Sequence, residues 1–172
     1  MTIRLLAAAA LLSAATPAPA QDIPVNPQID YDGFTALTVE LAPIRAERRI
    51  KLADFLTKAQ EEGAIILDTR SAAAFAAGHM EGAINLPFSD FTEEKLVKVL
   101  GEDTSRPILI YCNNNFSDNV APVVSKRAPL ALNIPTFINL YGYGYTNVWE
   151  LADVVATRDI AWVSDLERAP AS

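Results

Sequence analysis

Short apolar runs that end in polar residues constrain the fold of this 172-residue chain more than any other feature. Residues 64–68, Ala-Ile-Ile-Leu-Asp, form a continuous apolar run with an acid at its end, typical of a strand buried on both faces. Residues 107–111, Pro-Ile-Leu-Ile-Tyr, form a second such run directly before Cys112. Segments with helical periodicity lie between these runs, and strands that alternate with helices form a mainly parallel sheet with helices on both faces. We therefore predict an α/β fold.

The remaining elements follow from periodicity and capping residues. Leu52, Phe55, Leu56 and Ala59 recur at helical spacing, and Ser71 and Thr92 are good N-caps for two further helices, of which the first runs through Ala77. We also predict a helix over part of 118–128 and a final helix within 145–155 that carries Trp149. The predicted strands are residues 49–51, 64–68, 83–86, 107–111 and 136–140.

The first 20 residues have the order of a bacterial secretory signal peptide. Arg4 precedes an apolar run over 5–15, and the segment ends in Ala18-Pro19-Ala20. We expect cleavage before Gln21 and a periplasmic or secreted protein, with an uncleaved N-terminal anchor as the alternative. Residues 21–47 are then an N-terminal extension, polar and extended at its start, and residues 48–172 form one domain.

The charge of the chain limits its partners. Residues 1–20 contain one base and no acid, so the remainder carries 13 bases and 21 acids, a net charge of −8. This balance argues against binding of nucleic acid or of an anionic membrane surface. Arg45, Arg48 and Arg49 form a basic cluster that we interpret as a solvated face.

Cys112 is the only cysteine in the chain, and its position is that of a reactive thiol. A thiol at the C-terminal end of a buried strand, facing the N-terminus of the next helix, lies among backbone N–H groups that favour the thiolate. The alternative is a buried, inert cysteine that packs as a small hydrophobe. The strand-loop-helix context favours the reactive thiol and predicts a lowered pKa.

A set of short motifs resembles the rhodanese-like domain over about residues 49–155. The matching residues are Asp68-Thr69-Arg70, Phe75, Gly78-His79, Gly82-Ala83, Asn85, Pro87, Cys112, Tyr141-Gly142-Tyr143-Gly144 and Trp149. The resemblance implies a rhodanese-like α/β fold with a five-stranded, mainly parallel sheet. It also implies a sulfurtransferase in which the cysteine accepts a sulfane sulfur as a persulfide and passes it to a nucleophile.

The resemblance assigns roles to individual residues. Cys112 is the expected catalytic nucleophile, and residues Asn113, Asn114, Asn115, Phe116 and Ser117 are expected to form a substrate-binding nest of N–H groups around its sulfur. The Ser117 hydroxyl is expected either to bond the sulfur or to cap the next helix. Asp68, Arg70 and His79 are expected to be structural, with a base role for His79 as the less favoured alternative. No metal site and no cofactor are predicted.

The loop after Cys112 departs from the family pattern because residues 113–118 contain no base, whereas Asp118 adds an acid. The loop therefore attracts a dianion such as thiosulfate less strongly, and whether thiosulfate is used efficiently stays open. The predicted partners are a small sulfur-containing donor and a thiol or cyanide-like acceptor, and a protein partner stays open. The alternative function is a non-catalytic rhodanese-like module that binds a partner protein in the periplasm. A phosphatase is disfavoured, since Asp118 occupies the arginine position of a Cys-x5-Arg loop.

Overall fold

A computed structural model describes residues 26–168 of the chain. The predicted signal peptide and residues 21–25 lie outside the described residues. The chain divides into two compact units, Met1–Asp30 and Tyr31–Ser172. The described part of the first is a short turn in which the Ile29 N–H donates to the Asn26 carbonyl at 3.1 Å. No helix among the described residues combines the length and the apolar character that crossing a membrane requires.

The second unit is built on a five-stranded parallel sheet, as predicted. Its strands are β1 (Arg49–Ile50), β2 (Ile65–Asp68), β4 (Ile84–Asn85), β5 (Ile108–Tyr111) and β6 (Val148–Leu151). They are ordered β1-β6-β5-β2-β4, and all four pairings are parallel. Two further strands, β3 (His79–Met80) and β7 (Trp162–Val163), form a separate antiparallel ribbon.

Helices cover both faces of the sheet. They are α1 (Tyr31–Glu47), α2 (Leu52–Lys58), α3 (Ala72–Ala77), α4 (Glu93–Leu100), α5 (Asn133–Gly142) and the short α6 (Asp165–Arg168). Side chains of α1, α4 and α5 belong to one apolar cluster, whereas Phe55 of α2 belongs to the second, on the opposite face. The side-chain oxygens of Ser71 and Thr92 accept the N–H groups of Ala74 and Lys95, which confirms both predicted caps.

The central strand, β5, is buried on both faces, and this explains its continuous apolar sequence. Ile108 and Ile110 pack into the cluster with α1, α4 and α5, whereas Leu109 and Tyr111 pack into the cluster with α2. Successive side chains of a strand point to opposite faces, so a strand between two layers needs apolar residues at every position. Cys112 follows directly at the carboxyl end of this strand.

Three predicted elements are wrong. Residues 136–140 lie in α5 rather than in a strand, residues 148–151 form strand β6 rather than part of a helix, and residues 118–128 contain no helix. The fifth strand of the sheet is therefore β6, and α5 is the helix that precedes it. Residues 118–131, here called the cover loop, form an irregular segment with one short 3-10 turn, Ala128–Leu130.

Most of the predicted extension is helical. Helix α1 spans Tyr31–Glu47 and packs its partly buried Leu37 and Ile44, with the buried Leu41, into the same cluster as α5. A single residue, Arg48, separates the helix from strand β1. Arg49 and Ile50 of this strand pair with Glu150 and Leu151 of β6. Residues ahead of the predicted domain boundary thus form part of the helical cover of the sheet.

Candidate active site around Cys112

Cys112 lies at the end of the central strand with its sulfur among backbone amides. The Asn114 N–H donates to Sγ at 3.4 Å, and the N–H groups of Leu132 and Asn133, at the start of α5, also face the thiol. The sulfur therefore faces the N-terminus of α5, which begins 21 residues after the cysteine, rather than that of the predicted helix over part of 118–128. Such a set of donors suits an anionic sulfur.

The thiol is nevertheless buried, with 1% of the residue exposed. This burial raises the pKa of Cys112 above its ordinary value, and the carboxylate of Glu150 raises it further. The amides of Asn114, Asn133 and Leu132 act in the opposite direction but do not outweigh the burial. The predicted lowered pKa is therefore wrong for this closed state, in which the neutral thiol is favoured at pH 7.

The asparagine side chains connect the site to its surroundings. Asn114 Nδ2 donates to the Lys126 carbonyl at 2.7 Å, and its Oδ1 accepts the Lys126 N–H at 3.0 Å. Asn113 Nδ2 donates to the Val124 carbonyl at 2.8 Å. These bonds attach the cover loop to the cysteine loop. They engage both ends of the Asn114 amide but only the Nδ2 of Asn113, whose Oδ1 has no partner among the described residues. The prediction that these two residues bind substrate therefore applies to their backbone N–H groups, and it stays a prediction.

The last three residues of the predicted nest have different surroundings. Asn115 is buried, accepts the Cys112 N–H through Oδ1 at 3.0 Å and donates to the Leu151 carbonyl at 2.8 Å. Phe116 packs edge-on against Tyr111 and Trp162 in the core. The side chain of Ser117 is exposed, and its N–H donates to the Val155 carbonyl at 2.8 Å. Ser117 precedes no helix, so the predicted capping role is wrong.

A buried ionic network supports the neighbouring strand end. Arg70 donates to both oxygens of Asp68, with Nη2 to Oδ2 at 2.6 Å, and Tyr111 Oη donates to the same Oδ2 at 2.6 Å. Arg70 also bonds the carbonyls of Gly78 and Pro122, the second of which lies in the cover loop. Asp68 and Arg70 therefore have the contacts of structural residues, which connect two loops to the sheet.

His79 has the contacts of a structural residue as well. Its Nδ1 lies 2.8 Å from the Phe75 carbonyl, which only accepts, so this nitrogen carries the proton. The imidazole stacks on the Phe75 ring with centroids 3.7 Å apart. His79 is buried in the β3–β7 ribbon, and no contact joins it to the thiol.

A cavity of about 270 Å³ lies beside the cysteine loop. Asn114, Asn115 and Asn133, which surround Cys112, contribute to its wall. The wall also contains charged side chains of α1, β1 and β6: Arg45, Arg49 and Glu150. No group of three or more His, Cys, Asp or Glu side chains within residues 26–168 is placed to hold a metal ion.

The three residues of the basic cluster have different surroundings, and Arg49 is exposed as predicted. Arg45 Nη2 pairs with Glu150 Oε1 at 2.6 Å, and both residues line the cavity, so the interpretation as a solvated face is wrong for Arg45. Arg48 instead lies over the Trp149 ring, 4.3 Å from its centroid. Sequence reasoning missed Glu150 because the segment that carries it was assigned to a helix. The available signal was a single acid within the otherwise apolar run Val148-Trp149-Glu150-Leu151.

The raised pKa of Cys112 predicts how alkylation depends on pH. The thiolate is the reacting form, so the rate with iodoacetamide should increase with pH and still be increasing above about 8.5, the ordinary cysteine value. The rate is measured by intact mass between pH 6 and 10 on the folded chain. The same chain unfolded in urea serves as the control and should reach half of its maximal rate near pH 8.5. A lower midpoint in the folded chain would contradict the prediction.

Comparison with known proteins identifies a related family. A family model described as the rhodanese-like domain matches residues 52–153. A protein described as adenylyltransferase and sulfurtransferase MOCS3, from Drosophila ananassae, is 24% identical to this chain over 101 residues. The match covers 54% of this chain and 22% of that protein, so the chain corresponds to about a fifth of this relative's length.

Several solved structures are similar to this chain at low identity. The Alr3790 protein from Anabaena is 19% identical with a TM-score of 0.48, over 67% of this chain and 80% of that one. The BH2092 protein from Bacillus halodurans is 17% identical with a TM-score of 0.45, over 78% and 88%. A polysulfide-sulfur transferase homodimer from Wolinella succinogenes is 14% identical with a TM-score of 0.41, over 69% and 77%.

Proposed function

This chain belongs to the rhodanese-like domain family, and from that premise we propose that it is a sulfurtransferase whose nucleophile is Cys112. Cys112 accepts a sulfane sulfur from a small donor and passes it to a nucleophilic acceptor. The observation that carries the proposal is the set of three backbone amides, of Asn114, Leu132 and Asn133, that face a cysteine at the end of the central strand. Fixed N–H dipoles of this kind stabilise a charged sulfur without any nearby base.

The two half-reactions balance without an added oxidant. The Cys112 thiolate attacks the sulfane sulfur of a donor R–S–SH, an S–S bond forms, and the donor's own S–S bond breaks with its electron pair on the departing RS⁻. In the second half, an acceptor thiolate attacks the outer sulfur of Cys112–S–SH. That S–S bond then breaks with its electron pair on Sγ, which restores the cysteine.

Access to the sulfur requires movement of the cover loop. Cys112 does not contribute to the wall of the adjacent cavity, although Asn114 and Asn133 on either side of it do. Rearrangement of the loop joins the sulfur to the cavity and also restores water around the thiol. Both changes favour the thiolate, because the burial that raises the pKa of Cys112 is relieved while the amides stay in place.

The proposal is tested by the mass of the loaded protein. The full chain is incubated with inorganic polysulfide or a thiosulfonate, and we expect a mass increase of one sulfur atom that maps to Cys112. A thiol added afterwards should remove this sulfur, and Cys112→Ser should show neither loading nor turnover. Absence of the increment with every donor, while far-UV circular dichroism shows a folded protein, would contradict the proposal.

The buried thiol also favours a second candidate, a non-catalytic module that binds a partner protein. Exposure of 1% and a raised pKa are the properties of an inert cysteine. The two candidates differ in the phenotype of Cys112→Ser in cells that produce it at the normal level. A binding module tolerates this change, whereas a sulfurtransferase loses its function.

A further inference from the structure

Besides Oδ1 of Asn113 in the cysteine loop, three buried side-chain polar atoms near the cavity beside Cys112 have no hydrogen-bond partner within residues 26–168. They are Oε2 of Glu150, Oδ1 of Asn133 and Nε of Arg45. Each belongs to a residue of the cavity wall, and Glu150 and Asn133 are 5% and 6% exposed. An unsatisfied buried polar group is costly, most of all when it is charged. All three atoms are sealed from solvent, so the two vacant acceptors and the vacant donor become available to a ligand only when their side chains rotate toward the cavity.

Both acceptors suit a hydrogen-bond donor, and the carboxylate of Glu150 favours a donor of positive charge. Glu150 Oε1 is already bonded to Arg45 Nη2 at 2.6 Å and to Asn133 Nδ2 at 3.1 Å, so Oε2 retains its full acceptor capacity. The Asn133 carbonyl oxygen is the second vacant acceptor, and the amide bond to Oε1 places the two residues side by side. Because Glu150 forms part of the wall, rotation of its carboxylate presents Oε2 to the cavity.

The same wall also has a cation that is available to an anion. Arg49 of β1 lines the cavity, is exposed, and makes no ion pair with any residue of the described range. Arg45 adds its vacant Nε. Because Arg45 neutralises the charge of Glu150, Arg49 leaves the wall with one uncompensated positive charge. The vacant oxygens of Glu150 and Asn133 lie in the same wall and can accept hydrogen bonds from a cation. A ligand that matches it bears both an ammonium and a carboxylate.

We propose that this cavity binds the sulfur acceptor as an α-amino-acid thiol, with its ammonium at Glu150 and Asn133 and its carboxylate at Arg49. The proposal rests on the sulfurtransferase function proposed above and names the class of its acceptor. The volume of about 270 Å³ is just below the roughly 300–1,000 Å³ of pockets for drug-sized ligands, and it suits a small metabolite.

An ammonium in this position also acts on the nucleophile. The carboxylate of Glu150 raises the pKa of Cys112, so a cation bound to that carboxylate reduces its unfavourable effect on a sulfur anion. When the outer sulfur moves to the acceptor, the breaking S–S bond leaves its electron pair on Cys112 Sγ. The bound ammonium therefore stabilises the negative charge that develops on Sγ when the sulfur is transferred. A thiol that carries a carboxylate but no ammonium does not.

The test measures how fast different thiols remove the sulfur from persulfide-loaded full-length protein in a single turnover. The thiols are cysteine, cysteamine, mercaptopropionate and mercaptoethanol. For each thiol, the rate with the wild-type protein is divided by the rate with Glu150→Gln, and this ratio cancels the intrinsic reactivity of the thiol. We expect this variant to slow cysteine and cysteamine by about 10- to 100-fold and to leave mercaptoethanol nearly unchanged. Glu102→Gln is the control. Glu102 is an exposed acid that does not line the cavity, so this change should alter no rate.

A second variant keeps the test informative if Glu150→Gln does not fold. Arg49→Gln changes an exposed side chain and should slow cysteine relative to cysteamine by roughly 1.5- to 5-fold, the range of an exposed ion pair. An equal slowing of all four thiols by Glu150→Gln, or no preference for amine-bearing thiols in the wild-type protein, would overturn the proposal.

Binding of serine to the unloaded protein separates this proposal from the function on which it rests. Serine replaces the thiol with a hydroxyl and needs no sulfur chemistry, and calorimetry should detect binding that Glu150→Gln removes. If the chain loads no sulfur but binds serine through Glu150, the sulfurtransferase function and the acceptor role fail while the amino-acid site stands. If it loads sulfur but shows no dependence on the amine, the acceptor proposal alone fails.

Discussion

Replacing Arg70 with methionine is expected to lower the free energy of unfolding by about 3–5 kcal/mol, because it leaves the Asp68 carboxylate buried without its cation. The two side chains are 2% and 0% exposed, and Nη2 and Oδ2 are 2.6 Å apart. At roughly 2–4 °C per kcal/mol for a chain of this size, the melting temperature should fall by roughly 6–20 °C. Urea unfolding followed by circular dichroism measures the free energy of unfolding, and a thermal scan measures the melting temperature.

An exposed ion pair of the same chain provides the matched control for Arg70. Lys95 Nζ lies 2.9 Å from Asp90 Oδ2, with side chains that are 52% and 41% exposed, and Lys95→Met should cost at most about 1 kcal/mol. The double variant Asp68→Asn, Arg70→Met leaves no unpaired charge and should recover part of the loss. Equal losses in Arg70→Met and Lys95→Met would contradict the buried-charge explanation.

Replacing Asn114 with alanine is expected to expose Cys112. The side chain of Asn114 makes two hydrogen bonds to the backbone of Lys126 and so holds the cover loop in place. If each bond contributes about 0.5–1 kcal/mol, their loss increases the population of the open loop by about 5- to 30-fold. Alkylation of Cys112 by iodoacetamide at constant pH should accelerate by the same factor, since the thiol reacts from the open state.

Asn113→Ala is the graded control for this experiment. It removes one bond, from Asn113 Nδ2 to the Val124 carbonyl, and should accelerate alkylation by roughly 2- to 5-fold. Urea unfolding of each variant shows whether the thiol reacts through loop opening or through global unfolding. A rate for Asn114→Ala that equals the wild-type rate would show that the cover loop does not control access.

Elements with an unambiguous local signal could be predicted from the sequence. Strands β2 and β5 are continuous apolar runs, and the helices that begin after Ser71 and Thr92 have caps that the structure confirms. The α/β class and the place of Cys112 at the end of a buried strand follow from these elements, whereas the rhodanese-like fold was implied by the resemblance of the short motifs. Here local preference and tertiary packing agree, which is the condition under which sequence patterns are informative.

Elements whose environment is set by distant parts of the chain could not be predicted. Thr136, Phe137, Ile138 and Leu140 are all buried in α5, so this helix lacks the polar face that distinguishes a helix from a buried strand. Glu150 interrupts the apolar pattern of β6 because Arg45 and Asn133 supply its partners from α1 and α5. The raised pKa of Cys112 likewise depends on burial, which no local pattern specifies.

The matched family segment begins at residue 52, yet Arg45 and Arg49 precede it. A chain shortened to that segment would lose strand β1, would turn β6 into an edge strand and would deprive Glu150 of its counter-ion. If the cavity holds the acceptor as proposed, the substrate preference of such a fragment will differ from that of the full chain. Under the same proposal, replacing the residues ahead of the shared domain alters which metabolites are accepted while the cysteine loop itself stays the same.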